Sequence, residues 1–191
     1  MVTLNKIYTR TGDKGTTALG NGERTEKFDL RVIAYGSVDE LNSNVGLAVQ
    51  YANESLIQDL QKIQNDLFDL GADFCKPISE SKNETSISEL RISSNQVMRL
   101  EQQIDALNES LDPLKSFVLP GGSLSASQLH LCRTVCRRAE RYAVELASKE
   151  VINAEALKYL NRLSDWFFVA ARSENENGNT DTLWVPGLNQ Q

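Results

Sequence analysis

Three arginines in the stretch CRTVCRRAERYAVELA, residues 132–147, raise the first chemical question. Arg133, Arg137 and Arg141 recur every four residues. On a helix turning about 100° per residue they stack along one side, nearly opposite a stripe of Leu131, Val135, Ala139, Tyr142 and Leu146. Stacked guanidiniums repel one another unless something anionic lies across them. Two readings stay open. One is a solvated basic face, partly relieved by Glu140 and Glu145; the other is a polyphosphate clamp, since the planar guanidinium fork matches phosphate oxygens in pairs. A second polar stripe, Asn161, Asp165 and Arg172, lies opposite Leu160, Leu163 and Phe167. It reads as a surface pair with a flanking arginine or, facing the first stripe, as a way to place Asn161 on a nucleotide.

Near the start, IYTRTGDKGTTALGNGERTEKFD, residues 7–29, holds basic, acidic and glycine residues and little that could build a core. Its TRTGDKGTT portion contains hydroxyls, glycines and a lysine, the parts of a phosphate cradle. The GxxxxGK[ST] spacing of a P-loop is absent, so the string alone also fits a flexible arm. A third feature is Phe117, in the loop DPLKSFVLPGG of residues 112–122; an apolar residue there plugs a bundle end or serves a ligand. Cys75, Cys132 and Cys136 form no CxxC, and the single His130 does not complete a zinc set, which points to reduced buried thiols.

These residues need a scaffold, and the apolar periodicity supplies one. Ala34, Val38, Leu41, Val45, Ala48 and Ala52 step by four and three, as do Leu56, Leu60, Ile63, Leu67, Leu70 and Phe74. Val97, Leu100, Ile104 and Leu107 form a shorter stripe, the Leu131 stripe a fourth, and Ile152, Ala156, Leu160, Leu163, Phe167 and Ala170 a fifth. Near-heptad stepping on successive segments predicts an all-α fold, a five-helix bundle with left-handed packing. The polar KPISESKNETSISE, residues 76–89, reads as an exposed loop between the second and third helices, and the tail after Gly178 as a surface trail.

The chain has 191 residues, 40% hydrophobic and 24% charged, with a net charge of −6. That suits one domain: an N-terminal loop over 1–30, a bundle over 31–175 and a tail over 176–191. The negative balance disfavours nucleic acid, no apolar run suits a membrane span, and no signal peptide opens the chain, so the cytoplasm is expected.

Five strings, YTRTGDKGTT, RVIAYGSVDELNSNVG, FVLPGG, CRTVCRRAER and LNRLSDWFF, appear in the order seen in the PduO-type ATP:cob(I)alamin adenosyltransferases, which the chain resembles over residues 8–168. The resemblance implies a ferritin-like homotrimer of five-helix bundles with an active site at each subunit interface. It places Thr9, Arg10, Thr11, Gly12, Thr17 and Ala18 around ATP and Lys27 on its phosphates. Arg137, Arg138 and Arg141 fall in the triphosphate-gripping stretch, although the wheel turns Arg138 towards the core side; Glu140 and Asn161 lie beside the nucleotide. Asp39 and Arg133 resemble a pair that bridges subunits near the corrinoid, and Phe168 a corrinoid-pocket residue. Phe117 matches the aromatic that displaces the lower ligand of cobalt.

The implied reaction moves the 5′-deoxyadenosyl group of ATP to the cobalt of cob(I)alamin and releases triphosphate, with Mg2+ held mainly by the phosphates rather than by protein side chains. Implied partners are a Co(II)-corrinoid reductase and an adenosylcobalamin-dependent enzyme that receives the product. The residues by themselves also fit a helical phosphohydrolase that cleaves at phosphorus, or a trimeric scaffold that binds ATP or corrinoid without turnover.

Overall fold

The computed structural model describes residues 7–78 and 90–190; the remainder of the polar loop, residues 79–89, lies outside the described residues. Five helices carry the fold: α1 (Leu30–Val49), α2 (Glu54–Cys75), α3 (Ser94–Asn108), α4 (Leu124–Ala147) and α5 (Ala154–Ser173). The five-helix bundle expected from periodicity is present. Asp29 starts α1 by accepting from the Arg31 amide at 2.8 Å, and Ser123 starts α4 by accepting from the Ala126 amide at 3.0 Å. Ser93 and Gln96 close a reciprocal capping box on α3, and Asn153 caps α5 through the Glu155 amide. Each cap satisfies amides that the first helical turn leaves without partners.

α5 is the central helix. Tyr159, Leu160, Leu163, Trp166, Phe167, Ala170 and Ala171 are all fully enclosed, so apolar burial surrounds most of its circumference. The predicted seams of α1 and α2 are buried as expected, apart from Ala52, which lies past the end of α1 and is half-buried. The seam of α4 is only partly the one expected: Val135, Ala139 and Leu146 are buried, but the stripe is turned at its other positions. Leu131 is 46% exposed and Tyr142 only half-buried, while Leu129, Cys132, Cys136, Ala139, Ala143 and Leu146 face the core. Small side chains there let α4 approach its neighbours closely, and packing overrides the larger apolar residues beside them.

Long-range contacts fix which ends meet. Arg31 at the start of α1 donates to Glu150, just past α4, at 2.5 Å and to the Phe74 carbonyl at 2.5 Å. Asp73 at the end of α2 accepts from Arg91 at 2.8 Å, the Ile92 amide at 2.9 Å and Asn153 at 2.7 Å. At the opposite end, the Asn53 amide before α2 reaches Glu174, just past α5, at 3.2 Å.

The opening segment is neither a plain loop nor a free arm over residues 16–26. It forms a hairpin of β1 (Thr16–Ala18) and β2 (Arg24–Glu26), antiparallel, with Thr17 opposite Thr25. The Gly20 amide donates to the Cys75 carbonyl at 2.9 Å, and a Cβ at Gly20 would meet the Lys76 Cβ at 3.1 Å. These contacts tie the hairpin to the end of the bundle where α1 begins and α2 finishes. The tail also differs from the expectation of a surface trail: Leu183 pairs antiparallel with Val118. The Leu119 amide donates to Thr182 at 2.8 Å, and the Trp184 amide to Phe117 at 2.8 Å.

Candidate active site

The arginine stripe sits on the outer side of α4. Arg137 and Arg141 are exposed and Arg133 half-buried. Among the described residues, none of the three makes a hydrogen bond or an ion pair, and Arg133 Nε is buried without a partner. Burial, followed by the neighbouring Arg137 charge, lowers the pKa of Arg133. Eight residues of helix separate Arg133 from Arg141, about 12 Å of cationic ridge. Arg138 points elsewhere and pairs with Glu40 on α1, on a different side of α4 from Arg137 and Arg141. Unlike Arg137 and Arg141, it is thus already paired with a carboxylate of its own chain.

α5 contributes the facing polar groups. Asn161 donates to Glu140 on α4 at 2.9 Å and accepts from Arg162 at 2.5 Å, while Arg162 also holds Glu101 on α3 at 2.9 Å. Asp165 lies one turn further along. Partial burial and the Glu140 charge raise its pKa, against the opposing pull of Arg162 and Arg137. Glu140, Asn161, Asp165, Arg137 and Arg141 thus form an open polar half of the α4–α5 face.

The other half of that face is covered. Arg172, expected on the same stripe as Asn161 and Asp165, is buried and donates to Asp181 of the tail at 2.8 Å. His130, on the arginine side of α4, is only 2% exposed, with both ring nitrogens unpartnered and its ring 6.2 Å from that of Phe168. Burial and then Arg133 lower its pKa, partly offset by Asp181. The histidine is therefore neutral near pH 7; among the described residues no group of three or more His, Cys, Asp or Glu converges. Cys132 and Cys136 are buried free thiols, and Cys75 is a half-buried free thiol.

Phe117 stands at this covered end, 77% exposed, its ring 6.0 Å from that of Trp184. No core contact explains its placement, so it is not a plug. Trp184 escaped sequence reasoning because WVPGL has no period, and an exposed tryptophan was the only available signal.

The N-terminal cradle is built around Gly12 and Gly15. The Gly15 amide closes a turn on the Gly12 carbonyl at 3.1 Å, and Gly15 takes φ +88°, a conformation that favours glycine. A Cβ at Gly12 would crowd Lys27 Nζ at 3.1 Å, so the lysine head lies against the TGDKG turn. Arg24 holds the Thr11 carbonyl at 2.8 Å, the Thr9 and Thr11 hydroxyls are 3.0 Å apart, and Arg10 has φ 60° beneath a cation–π contact with Tyr8. Thr9, Arg10, Thr11 and Ala18 are exposed, and Gly12 and Thr17 half-buried. The cradle and Phe117 occupy opposite ends of the bundle.

Asp39, midway along α1, is exposed, and among the described residues its carboxylate has no ion-pair partner. Beside it a cleft of about 390 Å³ runs between α1 and α2, bordered by Tyr35, Gly36, Gly71 and Phe68, the last 72% exposed.

The cobalamin adenosyltransferase family model matches residues 7–174. A corrinoid adenosyltransferase of Mycobacterium leprae is 47% identical over 188 residues, covering 96% of this chain and 97% of that protein. A cobalamin adenosyltransferase of Cupriavidus metallidurans is 46% identical over 184 residues, covering 95% of each. Among solved structures, a phenylalanine-to-histidine variant of a PduO-type ATP:corrinoid adenosyltransferase from Lactobacillus reuteri, complexed with cobalamin and ATP, superposes with a TM-score of 0.86 at 40% identity, covering 95% of this chain and 97% of that one.

Proposed function

The chain belongs to the cobalamin adenosyltransferase family and transfers the adenosyl group of ATP to a corrinoid, and from this premise we propose that each active centre is built by two copies of it. The observation that carries the proposal is the set of three guanidiniums on α4 that no carboxylate of their own chain neutralises among the described residues. A ridge of unpaired positive charge is stable beside anions, with a triphosphate across Arg137 and Arg141, about 6 Å apart along the helix, and a carboxylate at Arg133. The cradle of the same protomer is tied to one end of the bundle through the Cys75 carbonyl. A neighbour's cradle, with its Thr9, Arg10, Thr11, Gly12, Thr17, Ala18 and Lys27, closes over the ridge instead.

Complementary unpaired charges support the same assembly. Asp39 of one copy and Arg133 of another complete an ion pair that neither makes within its own chain. The apolar cleft at Phe68 is the adjoining surface, and three copies joined head to tail close a ring.

In this arrangement Arg137 and Arg141 bind the triphosphate, while Glu140 and Asn161 hold the nucleoside end. The electron pair of Co(I) forms the cobalt–carbon bond at C5′, the C5′–oxygen bond breaks, and its pair leaves on triphosphate. The arginines and Lys27 neutralise the charge that develops there, and the protein otherwise supplies position. Mg2+ would be held mainly by the phosphate oxygens and would add neutralising charge to the triphosphate. Phe117 occupies the lower face of the corrin and displaces the axial ligand, which eases reduction of Co(II) to Co(I), and Phe168, beside His130, belongs to the corrinoid pocket. The electron comes from a Co(II)-corrinoid reductase, and the product passes to an adenosylcobalamin-dependent enzyme. Among the described residues no helix is long and apolar enough to cross a membrane, in keeping with a cytoplasmic reaction.

Anaerobic mixing with ATP, Mg2+ and reduced cobalamin tests this reading. The expected outcome is the absorption spectrum of an alkylated cobalamin with one triphosphate released per turnover. ADP or AMP as product, with no spectral change, would replace it with cleavage at phosphorus.

A further inference from the structure

Phe117 poses a mechanical problem. Its ring is largely exposed, so core packing does not hold it, yet an aromatic that displaces an axial ligand must resist being pushed back. Its surroundings supply the missing restraint. Arg172 at the end of α5 is buried and donates through Nε to Asp181 at 2.8 Å and through Nη2 to the Asp112 carbonyl at 3.0 Å. Asn175, also buried, donates to the other Asp181 oxygen at 3.0 Å and to the Gly121 carbonyl at 3.2 Å, and accepts from the Ser123 amide at 3.0 Å. Gly122, at φ +102°, allows this approach because a Cβ there would overlap the Asn175 carboxamide.

Both ends of the Phe117 loop, at Asp112 and at Gly121, therefore hang on one cluster of three side chains. From Asp181 the tail runs back along the loop as a strut. Thr182 accepts from the Leu119 amide at 2.8 Å, the Trp184 amide donates to the Phe117 carbonyl at 2.8 Å, and the Ser116 hydroxyl donates to the Trp184 carbonyl at 2.6 Å. The Arg172–Asp181 pair is almost completely desolvated, with 7% and 2% side-chain exposure, so losing one partner strands the other charge and releases the tail.

We propose that Arg172, Asn175 and Asp181 are positioning residues for the corrinoid half of the site, which fix through the tail how far the Phe117 ring projects. The proposal rests on the reading of Phe117 as the lower-face residue. It gives the C-terminal segment a part in cobalt reduction and none in holding ATP.

The test uses the full chain with ATP and cob(II)alamin. It measures the fraction of four-coordinate Co(II) by electron paramagnetic resonance and ATP affinity by calorimetry. Turnover is compared starting from Co(II) and from chemically pre-reduced Co(I). Asp181→Ala is expected to lower the four-coordinate fraction about tenfold, the population change that one net hydrogen bond can produce, with ATP affinity within about twofold. Turnover from Co(I) should fall less than turnover from Co(II). Should Asp181→Ala not fold, Trp184→Pro, which removes the ring and the amide bonded to the Phe117 carbonyl and fixes φ, is compared with Trp184→Ala, which keeps the amide; a lower four-coordinate fraction in the proline variant supports the strut. A folded Asp181→Ala protein with the full signal, or equal signals from the two Trp184 variants, overturns the proposal. Phe117→Ala separates the two levels: if it too keeps the full signal, the reading of Phe117 fails; if it loses the signal while the tail variants keep it, only the strut fails.

Discussion

Replacing Arg137 by alanine asks the most of the proposed site. The side chain is exposed and, among the described residues, has neither hydrogen bond nor ion pair, so truncation strands no partner and opens no cavity within its chain. Its loss also relieves repulsion from Arg133, whose pKa it depresses. The variant should fold with unchanged or slightly raised thermal stability. Whatever is lost then belongs to the ligand. A charge-assisted hydrogen bond contributes about 1.5–3 kcal/mol, which corresponds to a weakening of ATP binding of roughly 10- to 150-fold. Relief of repulsion among the remaining cations, and their freedom to shift towards the phosphates, favours the lower part of that range. The matched control is Arg138→Ala. That arginine pairs with Glu40 across half-exposed side chains, an interaction worth about 0–1 kcal/mol, so its removal should leave ATP affinity within about threefold. Calorimetric titration of ATP with Mg2+ into both variants and the parent provides the comparison. Equal losses from Arg137→Ala and Arg138→Ala would mean bulk positive charge, not a directed clamp, attracts the nucleotide. No loss from Arg137→Ala would remove that residue from the site.

Four further outcomes follow from particular contacts. Phe117→Ala should leave the melting temperature and ATP affinity nearly unchanged, since the ring is exposed, while turnover from Co(II) drops sharply; parallel loss of ATP binding would make the loop merely structural. Gly122→Ala should destabilise the fold by about 1–3 kcal/mol, because φ +102° is strained for alanine and its Cβ overlaps Asn175; a normal denaturation midpoint would contradict that geometry. Cys132 and Cys136 should resist a thiol reagent at pH 8 in the native protein, since burial pushes the Cys132 thiol up to about 12 and Cys136 well above its usual value, and should react once denaturant is added. Asp165 has a folded-state pKa raised chiefly by burial, so its contribution to stability is lost as pH rises through the carboxylate range. Asp165→Asn should therefore match the parent below that range and equal or exceed it in melting temperature at pH 7; lower stability at pH 7 would reverse the sign.

What the sequence made legible, and what it hid, follows from which interactions leave side-chain signatures. The helices of the bundle announce themselves because burial repeats with the helical period, and the arginine ridge does so because unpaired charge recurs with that period too. Two positions of the α4 seam were misplaced because Leu131 and Tyr142 outweigh Cys132, Cys136 and Ala143 in apolar bulk, while close helix approach selects for smallness. Strands of three residues, as in the hairpin from Thr16 to Glu26, are too short to show alternation, and their pairing is written in backbone groups common to every residue. The tail is hidden for the same reason. Its bonds to Leu119 and Phe117 use main-chain atoms only.

Arg172 and Arg137 show how the hidden part governs the visible one. Both lie on the outer polar stripes of adjoining helices, and periodicity gives them the same rank. Asp181, nine residues beyond Arg172 in a segment without period, neutralises one and leaves the other open. The division of the α4–α5 face into an open half and a covered half is thus imposed by the C-terminal segment rather than by the helices that carry the residues. Exchanging a helix with a relative while keeping this tail should preserve the division, and exchanging the tail should move it.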